Sequence, residues 1–186
     1  GITVFNALRN SGIIAGDLVA IQGIGGLGHL AIQYAHKMGM KTVAISTSDD
    51  KKDLAIQLGA HYFINTNSQD AAEKLKELGG AKLILGTAPS GKAMTSVLGG
   101  LGIDGKLLMV GATPEAVELS PMEMLMGRKS VAGWPSGTPT DSEDTLNFSA
   151  LFNTETMIEE YSLDDVKEAY DRMINNESRF RVVLKP

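Results

Sequence analysis

The sequence predicts a doubly wound α/β fold built on a parallel sheet, and two observations carry that reading. First, a short apolar run from Leu18 to Gln22 is cut off by glycines spaced G-x-G-x-x-G (Gly23, Gly25 and Gly28, with a fourth at Gly26). A helical pattern follows at once, with Leu27, Leu30, Ala31, Tyr34, Ala35 and Met38 on one face. Second, apolar runs and amphipathic segments then alternate as far as Trp134. Runs that are apolar on both faces suit buried parallel strands, and strand–helix alternation joins them by right-handed crossovers.

Taken in order, Thr3 to Leu8 reads as a short helix with no leader or polar tail before it, as in a fragment of something longer. Gly12 and Gly16-Asp17 turn the chain into the first strand. After the first long helix, Lys41 to Ser46 is a second strand, Lys51 to Leu58 a helix stopped at Gly59, and His61 to Ile64 a third strand. Gln69 to Leu78 is an amphipathic helix stopped by Gly79-Gly80. Lys82 to Leu85 is a fourth strand, Lys92 to Leu98 a helix and Lys106 to Val110 a fifth strand. Ser120-Pro121 opens a helix with proline at its first position, and Ser130 to Trp134 is the sixth strand. Past Pro139 the pattern changes. Asp141 to Phe152 is a polar-rich helix, Met157 to Glu159 a short extended piece, and Ser162 with Asp165 resembles a capping box ahead of a helix reaching about Asn175. Arg179 to Leu184 closes as a β-rich run. The division expected is a dinucleotide-binding domain over 1–153 and a tail over 154–186 that packs on a catalytic domain absent from this chain.

Composition narrows the function classes. A net charge of −5, from 17 basic against 22 acidic residues, argues against nucleic acid or an anionic membrane as partner. No run of eighteen apolar residues offers a membrane span, and no basic-then-apolar leader indicates secretion. Cysteine is absent, which excludes disulfides and thiolate metal ligands and fits a reducing, cytoplasmic setting.

The glycine loop carries the chemistry. Gly23 allows a tight turn at the strand end, Gly25 keeps side chains away from a ligand's pyrophosphate, and Gly28 lets helix and strand pack closely. The helix N-terminus adds unpaired N–H groups and a partial positive charge, worth ~0.3–1 kcal/mol per charge contact. This stretch is read as binding a dinucleotide; a glycine-rich turn serving packing alone is the bland alternative. An NAD site places a carboxylate at the end of the second strand to take the ribose hydroxyls. Here that position is Ser46, followed by Thr47 and Ser48, whose hydroxyls can donate to a phosphate that Lys51 or Lys52 neutralises. NADP is therefore favoured over NAD, with Asp49 and Asp50 close enough to leave NAD open.

The run Gly1 to Met38 closely resembles the coenzyme domain of zinc-dependent medium-chain alcohol dehydrogenases, a Rossmann doubly wound six-stranded parallel sheet. Leu58 to His61, Met126 to Ser130, Gly133 to Gly137 and Arg179 to Leu184 carry the same resemblance. The turn from Ser46 to Lys52 resembles the cinnamyl-alcohol-dehydrogenase-like branch, which uses NADP. The resemblance implies hydride transfer between a nicotinamide cofactor and a small alcohol or aldehyde, in a homodimer or homotetramer whose sheets meet at the Ser130–Trp134 edge. It implies roles residue by residue. Thr3 would border the nicotinamide and Leu27 face the pyrophosphate. Thr87 and Ala88 would line the riboses. Val110, Gly111 and Ala112 would lie beside the nicotinamide, Trp134, Pro135 and Ser136 would meet its carboxamide, and Arg181 would pair with the pyrophosphate. Each has a plainer alternative: Val110 as core, Trp134 as a dimer anchor, Arg181 as an exposed strand residue.

The family's catalytic zinc is held by cysteines and a histidine that lie N-terminal to this stretch, so zinc would enter only through the missing domain. His29 and His36, ~10 Å apart along one helix, cannot share a metal, and with His61 they read as structural. The chain alone is expected to bind cofactor without turnover. The rival readings are a zinc-free quinone or enoyl reductase of the same superfamily and a non-catalytic dinucleotide-binding module. A methyltransferase is disfavoured, because it too needs an acid where Ser46 stands.

Overall fold

The computed structural model describes residues 1–175 and 177–186. Six parallel strands lie in the order β3-β2-β1-β4-β5-β6: β1 (Leu18–Gln22), β2 (Lys41–Ser46), β3 (Tyr62–Asn65), β4 (Ala81–Gly86), β5 (Leu101–Met109) and β6 (Ser130–Gly133). The expected doubly wound sheet is present. The strand order reverses between β1 and β4, which opens a crevice beyond their carboxyl ends.

Alternation along β1 explains why both faces must be covered. Val19 and Ile21 join one core, with Leu8, Leu30, Ile32 and Tyr34. Leu18 and Ala20 join the other, with Leu75, Ile84, Met94 and Leu107. The first face is covered by α1 (Ile2–Arg9), α2 (Gly28–Lys37) and α3 (Lys52–Gln57), the second by α4 (Ala71–Glu77) and α5 (Gly91–Val97). The next helix, α6 (Pro121–Gly127), is capped by Ser120, whose hydroxyl accepts from the Glu123 N–H, and proline stands in its first turn as expected. Unlike its neighbours, β6 is largely exposed, because it is the sheet edge.

Beyond the sheet, α7 (Pro139–Phe152) begins with a capping box in which Thr138 and Asp141 each accept from the other's backbone N–H. It lies against α1 and α2 through Phe5, Tyr34 and Phe148, ring centroids 5.1–5.9 Å apart. Arg9 of α1 forms ion pairs with Asp141 and Asp144. The tail forms its own parallel pair, β7 (Ile158–Ser162) and β8 (Arg181–Lys185), joined by α8 (Val166–Ile174).

Two local readings change. The Ser162 hydroxyl bonds the Asp165 carboxylate instead of a backbone N–H, and a 3-10 turn over Leu163–Asp165 delays the helix to Val166. The fifth strand begins at Leu101, five residues before the expected start, with a register shift opposite Ala81–Leu83. Asp104 turns left-handed there (φ 57°) and is gripped by Arg128 through two bonds of 2.7 Å. That irregularity interrupts the apolar alternation from which a strand is read in sequence.

Candidate functional site

A cleft of about 640 Å³ lies at the crevice. Its floor is the glycine loop. Gly23 takes φ +94°, and a Cβ there would sit 2.9 Å from Thr87 Oγ1. Thr87 locks the strand ends, its hydroxyl donating to the carbonyls of Gln22 (2.8 Å) and Gly23 (3.1 Å). A Cβ on Gly25 would meet nothing within 4 Å, so this backbone faces open cleft. No side chain caps α2; the His29 N–H is taken by the Gly25 carbonyl at 3.1 Å, and the Gly28 and Leu30 N–H groups of the first turn are left to whatever the cleft binds. Arg181 Nη2 donates to the Gly26 carbonyl at 3.1 Å, bringing a fixed positive charge from the tail onto the loop.

At the end of β2, Ser46 and Thr47 line the same cleft. Lys51 reaches it from the following turn, its ammonium donating to the Ile24 carbonyl at 2.9 Å and lying 5.5 Å from the centre of the Phe180 ring. Burial and the neighbouring Arg179 charge push its pKa down, with Asp50 acting against them. The cleft therefore joins an open glycine backbone, a helix N-terminus and two cations. That combination suits a ligand carrying several phosphates.

A family model described as "Zinc-binding dehydrogenase" matches residues 26–151, well over half of the chain. The chain belongs to the zinc-binding dehydrogenases. It is 46% identical over 184 residues to an alcohol dehydrogenase, notN, of an Aspergillus species, covering 99% of this chain and 54% of the relative. Among solved structures it is similar to a cinnamyl alcohol dehydrogenase of Sorghum bicolor (30% identity, TM-score 0.87, 99% of this chain and 52% of that one). It is also similar to a Helicobacter pylori CAD complexed with NADP(H) (27% identity, TM-score 0.84, 99% and 52%). The chain thus spans about half the length of the curated relative and of these solved chains. It corresponds to the coenzyme-binding half of a medium-chain alcohol dehydrogenase.

In this dehydrogenase chain the remaining singled-out residues fall into distinct places. Gly23, Gly25, Gly26, Leu27, Ser46, Thr47, Lys51, Thr87, Ala88 and Arg181 meet in the cleft. Gly28 stands outside its lining, and a Cβ there would sit 1.8 Å from the Gly23 carbonyl oxygen. Ser48 is turned away, its hydroxyl donating to Asp50 at 3.0 Å, and Lys52 also lies off the cleft. Past β5, the Val110 and Gly111 N–H groups both donate to the Gly86 carbonyl, and a Cβ on Gly111 would sit 2.7 Å from the Thr87 carbonyl oxygen. This segment, continuing to Ala112, abuts the cleft wall without lining it. A separate group gathers at the end of β6: the Thr3 and Ser136 hydroxyls are 3.3 Å apart, and Trp134 Nε1 donates to the Ser136 carbonyl at 3.2 Å, across an exposed Pro135.

His29 is fully buried beneath the loop. Its Nδ1 bonds the Gly25 carbonyl at 2.9 Å, and its Nε2 faces the Met157 N–H at 3.4 Å. These contacts require Nδ1 to carry the proton, so Nε2 accepts. Burial pushes the His29 pKa down, with the Gly25 carbonyl opposing. The ring stacks on Phe180 at 4.7 Å, so one histidine ties the glycine loop to the tail. His36 and His61 pack against each other at 5.2 Å, and the latter accepts the Thr42 N–H.

Several cleft residues escaped the sequence reading: Gln22, Thr66, Pro89, Ala93 and Ser96. Gln22 and Thr66 end or follow β1 and β3, so the rule that ligands lie beyond strand carboxyl ends could have found them. Ala93 and Ser96 sit within α5, and only its packing beside β1 brings them in.

Proposed function

We propose that this chain holds the coenzyme of an alcohol dehydrogenase that moves hydride between a nicotinamide dinucleotide and a small alcohol or aldehyde, with NADP preferred. The observation that carries this reading is the junction of the open glycine loop with Ser46 at the end of β2 and Lys51 of the following turn, in a cleft whose lining holds no carboxylate. Gly25 and Gly26 admit the pyrophosphate to the backbone, the first turn of α2 donates N–H groups, and Arg181 supplies countercharge. Ser46 and Thr47 offer hydroxyls, and Lys51 a charge, to a 2′-phosphate. Thr87 and Ala88 line the riboses. The Val110–Ala112 segment and the group of Thr3, Trp134, Pro135 and Ser136 hold the nicotinamide end. When bound, the nicotinamide supplies the hydride acceptor or donor, and these residues fix its position.

The residues here do not fit the family's zinc: the sequence has no cysteine, and no group of three or more His, Asp or Glu that could hold a metal occurs among the described residues. The Lewis acid and substrate pocket belong to the half of the relatives that this chain does not span, and the chain alone binds coenzyme without turnover. Within the tail, 154–186, Met157 and Phe180 pack on the core of this chain, and the face that carries the exposed Leu163, Val166, Tyr170, Met173 and Ile174 packs on that half. No helix among the described residues is long and apolar enough to cross a membrane. The absence of cysteine supports a reducing, cytoplasmic setting.

Titration with NADPH and NADH, following nicotinamide emission and Trp134, tests the coenzyme reading. NADPH should bind more tightly. Lys51→Ala should weaken NADPH about tenfold, the loss of one charge-assisted phosphate contact, and leave NADH unchanged. Lys52→Ala should change neither, since Lys52 lies off the cleft. Equal or tighter NADH binding would move the ribose contacts to Asp49 or Asp50.

The assembly is a homodimer or homotetramer joined at β6, an open edge flanked by the exposed Met122, Leu125 and Met126. The Trp134 N–H bonds Met109 on β5, so by strand alternation the Val131 N–H faces outward. Light scattering should give a multiple of the chain mass, and Val131→Pro should return it to the monomer. A monomeric wild type would exclude the edge pairing.

A further inference from the structure

Gln22 ends β1 on the α5 side of the sheet and lines the cleft. It is 5% exposed, and its Oε1 is buried with no hydrogen-bond partner. Among the described residues the only other buried side-chain atom in that position, Thr154 Oγ1, lies outside this cleft. Native folds rarely leave such an acceptor orphaned, and where they do a ligand is one resolution.

The polarity of this amide is fixed. Its Nε2 donates to the Ala93 carbonyl at 2.6 Å, and the Ser96 hydroxyl donates to the same oxygen at 2.7 Å. Flipping the amide would set Oε1 against that carbonyl, so the group keeps its acceptor free and cannot exchange it for a donor. With phosphates on Gly25–Gly26 and the ribose at Ser46–Thr47, the part of the cleft left for the base is walled by Ala88, Pro89 and Ala93. These three side chains are small and apolar, which suits a purine face.

We propose that Gln22 reads the exocyclic amine of the adenine, making the site selective for a 6-aminopurine dinucleotide over its 6-oxo counterpart. The inference rests on the dinucleotide reading above and adds base discrimination to it. In the hypoxanthine analogue an oxygen replaces the amine, so two acceptors would face each other across a buried contact that the held amide cannot relieve. Sites built to bond a polar group reject analogues that lack it strongly.

The test compares NADPH with the hypoxanthine analogue of NADPH, both titrated by nicotinamide emission. The wild type should bind the adenine form at least about tenfold more tightly, the scale of one buried hydrogen bond plus the acceptor clash. Gln22→Met, close in volume, should weaken NADPH and level the two. Circular dichroism would verify that the variant is folded, and the wild-type comparison needs no variant at all. Equal wild-type affinity for both coenzymes would overturn the role of Gln22 and leave the dinucleotide site standing. So would a variant that weakens both by the same factor, which would make Gln22 a filler of space. Binding of neither coenzyme by the wild type would instead remove the dinucleotide reading, and this proposal with it.

Discussion

Gly28→Ala should lower the melting temperature by about 10 °C and abolish dinucleotide binding, whereas Gly25→Ala should leave the melting temperature unchanged and lose binding alone. The two glycines belong to one loop but face different matter. A Cβ on Gly28 would stand 1.8 Å from the Gly23 carbonyl oxygen and 2.8 Å from its carbon, backbone atoms that no side-chain rotation can move aside. Relief requires α2 to shift off β1, an overpacking cost of about 3 kcal/mol, and a chain of this size loses roughly 2–4 °C per kcal/mol. A Cβ on Gly25 meets nothing within 4 Å, so the folded protein tolerates it. That open space is where the pyrophosphate would lie, and the methyl group would hold it off the N–H donors. Thermal melts paired with NADPH titrations separate the two effects. If Gly25→Ala binds NADPH as well as the wild type, the phosphates do not sit on this loop.

Phe180→Ala should cost about 3 kcal/mol and weaken coenzyme binding several-fold, although Phe180 belongs to the tail and not to the doubly wound sheet. The ring is 7% exposed and part of the core beneath the glycine loop. It stacks on His29, whose Nδ1–H holds the Gly25 carbonyl, and the Lys51 ammonium lies over it. Truncating a buried phenylalanine leaves a cavity and forfeits these contacts. The neighbouring residue, Arg181, would then lose the anchor that holds its guanidinium on Gly26. Phe180→Leu keeps most of the apolar volume and should recover most of the melting temperature. If Phe180→Ala melts as the wild type does, the tail is not bound to the loop, and Arg181 contributes nothing fixed to the cleft.

The architecture was legible because its determinants are local. β1, β2 and β4 are apolar on both faces, each is followed by a helix with a glycine near its end, and parallel strands with crossovers allow few other arrangements. The Gly23–Gly28 loop was legible for the same reason: its spacing encodes a turn, a bare backbone and a close packing contact within six residues. The start of β5 was hidden because a left-handed Asp104 and a register shift break the periodicity, and their partner, Arg128, is 24 residues away.

By itself the sequence determined the class of fold, the place of the phosphate loop and the lack of a carboxylate at the end of β2, since each is written in neighbouring residues. Only the tertiary structure separated Lys51, which enters the cleft, from Lys52, which does not, because a side chain's direction depends on the turn that carries it. It alone joined Arg181 and Phe180 to the loop about 150 residues earlier, and left Gln22, a residue of the cleft lining, with a buried acceptor that has no partner. Those contacts join distant segments, and no local pattern of residues records which surfaces folding will bring together.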